Sequence, residues 1–509
     1  MLDIYGANEL SFEKLTDLVG NKHESSRILT QKKAQPCGWA FLFAKKKLLE
    51  KIKVTKQLSK LGVTMSGNYK PSGAELSNEL SQKLKDFLSP LENQLSGQID
   101  ARLVRTLLRL VQTIILFRNH THGLLLSELG GFLLSPERAP AGTKRISNLI
   151  RSKKWHFRMI ERFLWTQGDK AVSQIETLDK TALCLWDESV IEKSESIALE
   201  GLCAVKSSKA ARLKRIKPGF FNPPTRPIFV PGMNWLMLMI VGHEKPPTLA
   251  LMKWWSTRGT LKTKKRDLQR AVLADCAQQW GRRVVHVWDR GYAGSPWLEA
   301  SLSYSLRFVL RWQKKYKLID SNGERRLAWK ITRGKRSLDH RQIWDARRQC
   351  WRKTGITFTQ VWHETADHPL YLVVSRPGKG KKPWYLLTSE TVESVDDAWD
   401  IVFIYARRWQ IEVGFRAAKS ELAFESPRLW RWDNRLKLLL IASLALAFLF
   451  SLIDSLSTEQ LAHLLRSWCH RTGKRQRNAS LPLYRLRSAL SLLWLFHPPP
   501  NSSLLENSG

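Results

Sequence analysis

The sequence predicts an α/β core interrupted by a β-rich insertion and flanked by helical N-terminal and C-terminal regions. Three observations carry this. Two apolar runs end in an acid, Ala182–Asp187 and Val284–Asp289, and a stretch of helical period, Lys264–Trp280, lies between them. That is how strands and crossover helices alternate in an open α/β sheet. From Trp312 to Trp384 the texture changes to polar strand-like segments rich in Trp and basic residues. The stretches before Thr181 and after Glu421 instead show apolar residues at helical spacing.

Taken in order, residues 1–98 form an N-terminal extension, with a basic helix expected over Phe41–Leu61 and a polar helical stretch over 66–98 in which Pro71 and Pro90 act as breakers. Residues 99–178 form a helical, DNA-binding region: Arg102–Phe117 is amphipathic, and Gly123–Gly131 and the basic Thr143–Trp155 suggest a helix-turn-helix-like pair across a long turn at Pro136–Gly142, or equally a plain bundle. Residues 179–312 open the core. Strands are expected at Ala182–Asp187, Trp235–Val241, Thr248–Trp254, Val284–Asp289 and Arg307–Trp312, and helices at Lys264–Trp280 and Pro296–Ser303. Lys206–Lys217 reads as a basic linker, and Pro223, Pro224, Pro227 and Pro231 favour extended, irregular backbone after it. Residues 313–385 are the β-rich insertion, 386–425 complete the core, and 426–509 are helical to about Leu465, then basic and Ser-rich, with Pro498–Pro500 and the polar end suggesting a disordered terminus.

Charge limits the partners. With 83 Lys+Arg against 45 Asp+Glu, the net charge is +38, spread over most of the 509 residues. Such a surface suits a long polyanion laid across several domains, and several of the 22 Trp, among them Trp312, Trp351 and Trp409, stand beside Arg or Lys in the way that base stacking uses. The six Cys lie at least nineteen residues apart, with no zinc-like spacing, and suit reduced thiols in the cytoplasm. The first residues lack the pattern of a signal peptide. The longest apolar run, the sixteen residues Leu438–Ile453, is short for a membrane span and reads as a buried helix. No membrane and no organic cofactor is expected.

The chemistry concentrates in Tyr405–Lys419. A single helix is expected from about Val392 to Ser420. At about 100° per residue, Tyr405, Arg408, Glu412 and Lys419 point to roughly 0°, −60°, −20° and −40°, one narrow face. A carboxylate among cations and a phenol suits a metal-bound phosphate, with Glu412 on the metal and Arg408 and Lys419 on phosphate oxygens. Glu412 with Arg408 and Arg416 also makes ordinary surface pairs at four-residue spacing, so its partners must come from elsewhere. Asp187 and Asp289 are the candidates, because strand carboxyl ends are where open α/β sheets place ligand-facing residues. Three such carboxylates could hold two divalent ions, and hard oxygen donors suit Mg²⁺.

Tyr405, Arg408, Glu412 and Lys419 match a Y-x2-R-x3-E-x6-K signature, and through it the chain resembles the IS4 family of DDE transposases over about residues 105–450, most strongly over 380–420. The resemblance implies an RNase H-like core with a β-strand insertion before the Glu helix. It implies Asp187, Asp289 and Glu412 as the catalytic, metal-binding triad, with two Mg²⁺ (or Mn²⁺) ions. It puts Tyr405, Arg408 and Lys419 on phosphates near the transposon end and Trp384 against a flipped base, and Arg416 is grouped with these DNA contacts. Asp289 is followed by Arg-Gly-Tyr-Ala, where Tn5-like members have Arg-Glu-Ala-Asp. The expected activity is cut-and-paste transposition on double-stranded DNA with terminal inverted repeats and on target DNA, through hairpin ends, by a homodimer in a bacterial cytoplasm, associated with the nucleoid. A catalytically inactive DNA-binding derivative and a stand-alone nuclease are the alternatives.

Overall fold

In the computed structural model, which describes residues 71–499 apart from 194, 196–197, 210–225, 243–244, 346–349 and 379–380, the run at Ala182 opens a long strand, β1 (Ala182–Glu192). The other core strands are β2 (Cys203–Lys206), β3 (Phe229–Val241), β4 (Thr248–Trp255), β5 (Val284–Trp288) and β6 (Arg307–Arg311). Two short strands, β7 (Lys317–Ile319) and β8 (Arg325–Leu327), form a hairpin, and β9 (Asp339–Asp345), β10 (Cys350–Val361), β11 (Leu370–Arg376) and β12 (Trp384–Thr388) follow. The strands discussed below lie in one unit, 71–341 with 352–499, while Gln342–Trp351 falls in a second.

The sheet is mixed. β1 pairs antiparallel with β3 and parallel with β5, β3 pairs antiparallel with β4 and β2, and β5 pairs parallel with β6. The insertion does not stand apart: β12 pairs antiparallel with β6, and β11 pairs with both β12 and β10, so the inserted strands extend the core sheet. Side chains alternate between faces. Cys184, Trp186, Leu236, Leu238, Trp288, Phe308, Leu310 and Leu387 share one apolar layer with residues of α5 (Arg158–Glu176), α6 (Lys265–Gln279) and α7 (Ser295–Ser303). The opposite face receives α8 (Val395–Arg407) and α9 (Trp409–Arg416). Gly414 lets α9 approach β3, since a Cβ there would lie 2.4 Å from the Met239 methyl, and Trp235 meets Phe415 edge to face at 4.6 Å.

The N-terminal helices are α1 (Gly73–Ser96), α2 (Ala101–Leu116), α3 (Leu126–Leu133) and α4 (Ala139–Arg151). The C-terminal ones are α10 (Trp432–Ser455), α11 (Thr458–Ser467) and α12 (Leu483–Phe496). α10 is long and apolar enough to cross a membrane by length and composition, but 89% of its most apolar window is buried within the protein, as expected for the Leu438–Ile453 run.

Several expectations are corrected. Pro90 lies inside α1 rather than ending it: it cannot donate to the Asp86 carbonyl, and the Ser89 hydroxyl does so at 3.0 Å. Pro231 lies inside β3, where its carbonyl accepts the Lys193 N–H at 2.7 Å. Lys206 ends a strand rather than starting a linker, since Ser207 and Ser208 beyond it bind the Glu192 carboxylate. Helix is not confined to residues before Leu465: α12 packs on α2, and buried Arg487 donates to the carbonyls of Ile114, Ile115 and Phe117, which the end of α2 leaves open. The expected Phe41–Leu61 helix, residues 210–217 of the basic linker, Pro223, Pro224 and residues 500–509 lie outside the described residues.

The turn between the paired helices is shorter than Pro136–Gly142, because α4 starts at Ala139 with Pro140 in its first turn. α3 and α4 touch backbone to backbone: a Cβ on Gly142 would fall 2.2 Å from the Gly130 carbonyl oxygen, whereas one on Gly131 meets nothing nearer than 3.6 Å. Gly142→Ala is therefore expected to cost about 1–3 kcal/mol by overpacking and Gly131→Ala almost nothing. Denaturant unfolding of the two variants checks the close crossing, and equal midpoints would refute it.

Candidate active site

The ladder between β1 and β5 ends at Trp186 opposite Trp288. Asp187 and Asp289 are the next residue on each strand, so the parallel register sets them side by side. Asp187 was expected at the end of its strand, but β1 runs on to Glu192 because β3 pairs with it as far as Glu192 opposite Gly232. What ends at Asp187 is the parallel neighbour, not the strand. β6 continues the pattern: Leu310 pairs Trp288, which brings Arg311 beside Asp289 at 3.6 Å.

The expected single helix over Val392–Ser420 is divided. α8 ends at Arg407, Arg408 is a tight turn whose N–H reaches the Tyr405 carbonyl at 3.1 Å, α9 runs to Arg416, and Ala417–Glu421 is a π turn. Tyr405, Arg408 and Glu412 do converge on the sheet acids. The Tyr405 hydroxyl donates to Asp289 Oδ1 at 2.9 Å. Arg408 donates through Nη1 to Asp187 Oδ2 at 3.0 Å and through Nη2 to Glu412 Oε1. One guanidinium thus bridges two of the three acids, and its position also lowers the pKa of the third. Lys419 falls in the π turn, where the rotation per residue differs from an α-helix, so the phase drawn for it from a regular helix does not carry over. Arg416 is exposed and lies over the ring of Trp409 at 6.0 Å. Trp384, the first residue of β12, is half-buried and meets the Tyr405 ring edge to face at 5.0 Å. Sequence reasoning missed Arg311. The signal was a cation ending a strand whose neighbour ends in an acid.

The site is open on one side: the side chains of Asp187, Asp289 and Glu412 are 23%, 36% and 32% exposed, and that of Arg408 is 12% exposed. Burial pushes the Asp187 carboxyl up to about 6, against the pull of Arg408 and of the Glu188 N–H. Burial also acts on Asp289, but Arg408, the Arg290 N–H, Tyr405 and Arg311 outweigh it and bring that carboxyl below its ordinary range. The Tyr405 hydroxyl is raised, by burial first and then by the Asp289 charge, and so remains a donor. Three carboxylates are the right hard oxygen donors for a divalent ion. Among the described residues, however, no group of three His, Cys, Asp or Glu is arranged to hold one. The Arg408 guanidinium lies between Asp187 and Glu412, bonded to one oxygen of each. The donor set fits a divalent ion.

Residues 260–448 match the family model described as a transposase DDE domain, and the match supports a DDE transposase. It spans Asp289 and Glu412, while Asp187 lies before it and joins them through the β1–β5 register. Among solved structures, the piggyBac transposase in a synaptic complex with hairpin DNA is similar at 14% identity, over 84% of this chain and 81% of that one, with a TM-score of 0.37.

The raised Asp187 has a thermodynamic consequence. Its folded pKa, about 6, lies above the 3.8 of a free carboxyl. Between those values the folded chain keeps a proton that the unfolded chain has lost, so stability falls as pH rises through that window and stays lower above it. In chelator, Asp187→Asn is expected to exceed wild type in stability at pH 7 by on the order of 3 kcal/mol or less, with the difference vanishing near pH 4. Denaturant unfolding at both pH values tests this, and a variant less stable than wild type at pH 7 would refute it.

Proposed function

We propose that this chain is a DDE transposase of the IS4-like kind, which binds the terminal inverted repeats of a mobile DNA segment, cuts there and joins the freed 3′ ends to target DNA. The observation that carries the reading is the convergence of Asp187, Asp289 and Glu412, from two parallel strands and one helix, on an open face of the sheet. The order β4-β3-β1-β5-β6, antiparallel on one side of β1 and parallel on the other, supports an RNase H-like core. The net charge of +38 supports a DNA partner.

Asp187, Asp289 and Glu412 would hold the divalent ions, Mg²⁺ or Mn²⁺. Two such ions, when bound, supply an activated water or 3′-hydroxyl and stabilise the leaving oxygen. Tyr405 and Arg311 hold Asp289 in place and favour its ionised form. Asp187, at about 6, is mostly ionised at neutral pH despite its burial. Arg408, once released from Asp187 and Glu412, is free to donate bidentately to two phosphate oxygens. Lys419 and Arg416 extend the phosphate contacts. Trp384 stacks on a base near the scissile phosphate during hairpin formation, where about 1–3 kcal/mol of stacking offsets the unstacking of the strand. Two chains act together on paired ends.

The test incubates purified protein with end-bearing DNA and Mg²⁺ and resolves nicked, hairpin and joined products. Binding without cleavage would mark an inactive DNA-binding derivative, and cleavage without joining a nuclease. Asp187→Asn, Asp289→Asn and Glu412→Gln are each expected to abolish cleavage and to keep end binding, because each removes a ligand charge without bulk. A variant that still cleaves would remove its residue from the triad. Arg408→Ala is expected to lower the salt dependence of end binding by about one counterion, measured as the slope of log affinity against log salt.

A further inference from the structure

Beneath the acid cluster, on the other face of the sheet, lies a second polar group that the reaction as drawn above does not use. Successive residues of β1 point to opposite faces, so Asp187 meets α9 while Glu188 turns toward α6 and the turn after β5. The Glu188 side chain is 17% exposed. Its carboxylate accepts from the Tyr292 hydroxyl at 3.3 Å, from Gln269 Nε2 and from Lys265 Nζ. Gln269 is fully buried and Tyr292 is 3% exposed. Arg266 holds the other end of the Gln269 amide at 3.0 Å.

Tyr292 belongs to the same short turn as Asp289. Its N–H bonds the Asp289 carbonyl at 3.0 Å, and the Ala293 N–H bonds the Arg290 carbonyl at 3.2 Å, so Asp289 and Tyr292 move together. The β1–β5 ladder stops one residue short of both aspartates. Beyond it, Tyr292 to Glu188 is a direct side-chain bond from the Asp289 turn to the Asp187 strand. On the acid face the link is indirect, through Tyr405 of α8 and the Arg408 turn. Burial, and then the Glu188 and Asp187 charges, push the Tyr292 hydroxyl well above the ordinary phenol range, which keeps it a donor.

We propose that Glu188 and Tyr292 are positioning residues: their hydrogen bond holds the turn carrying Asp289 against the strand carrying Asp187 and so sets the spacing of these two carboxylates for a divalent ion. This rests on the metal-dependent reading of the site given above. Outer partners that fix metal ligands change metal affinity when removed, and a bond that merely packs the core does not.

The test uses the full chain and compares wild type with Tyr292→Phe, Glu188→Gln and Asp289→Asn. Three quantities are measured: Mn²⁺ binding by electron paramagnetic resonance, hydrogen exchange of residues 289–294 in chelator, and thermal melting in chelator. Tyr292→Phe removes one oxygen and keeps the ring. It is expected to weaken Mn²⁺ binding by about tenfold or more and to speed exchange of 289–294, with the melt nearly unchanged. Glu188→Gln keeps an acceptor for the phenol and is expected to retain most of the affinity. Unchanged Mn²⁺ affinity in Tyr292→Phe would overturn the proposal, as would a loss of affinity shared equally by Glu188→Gln and matched by a lower melt. If wild type and Asp289→Asn alike bind no Mn²⁺, the metal reading itself fails. Exchange of 289–294 then decides the tether alone, and an unchanged rate in Tyr292→Phe overturns it.

Discussion

The parallel pairing of β1 with β5 stops at Trp186 and Trp288, and each strand then turns an aspartate to the same face of the sheet. That register is the constraint on which the acid cluster depends. A shift of one residue would send Asp187 into the apolar layer and Glu188 toward α9, since strand side chains alternate. The register is in turn held by burial: Cys184, Trp186 and Trp288 fit the layer beneath α5, α6 and α7, and a slip would expose them. The apolar core on one face therefore fixes the chemistry on the other.

Bringing three carboxylates together is unfavourable unless something offsets the repulsion and the desolvation. Here cations and a phenol do so unequally. Arg408 bridges Asp187 and Glu412, while Arg311 and Tyr405 share Asp289 Oδ1. The outcome is a pair of neighbouring aspartates pushed in opposite directions, Asp187 up to about 6 and Asp289 down. Such divergence is common where groups share a proton-sensitive or ion-binding task. The tight turn at Arg408 lies where the guanidinium must reach both a strand and the next helical turn, and Gly414 lets α9 lie close enough for that reach.

Side chains near and far take up polar groups that the helices around the sheet leave open. Ser89 covers the carbonyl that Pro90 leaves open, and Arg487, nearly four hundred residues on in the chain, closes the end of α2. The Arg487 contacts join α2 to α12, and both pack on α10, whose apolar surface needs burial on all sides.

Much of the architecture was legible locally. Apolar runs ending in Asp187 and Asp289, the helical period of Lys264–Trp280 and the 405–419 signature depend on neighbours in the chain, and periodicity carries that information. The acids, the Tyr405–Arg408–Glu412 face and the β-rich character of 313–385 were therefore open to reading from residues alone. Other features depend on partners distant in sequence. β1 passes Asp187 because β3 extends it, the inserted strands join the core sheet because β12 finds β6, and Pro90 stays within α1 because the Ser89 hydroxyl takes the carbonyl that proline leaves open. Arg408 lies between two carboxylates, because only the fold brings Asp187 within its reach. The same holds for Arg311 beside Asp289 and for Tyr292 on Glu188. In each case a strand register or a turn, not a local spacing, decides which charges and hydrogen-bonding groups meet.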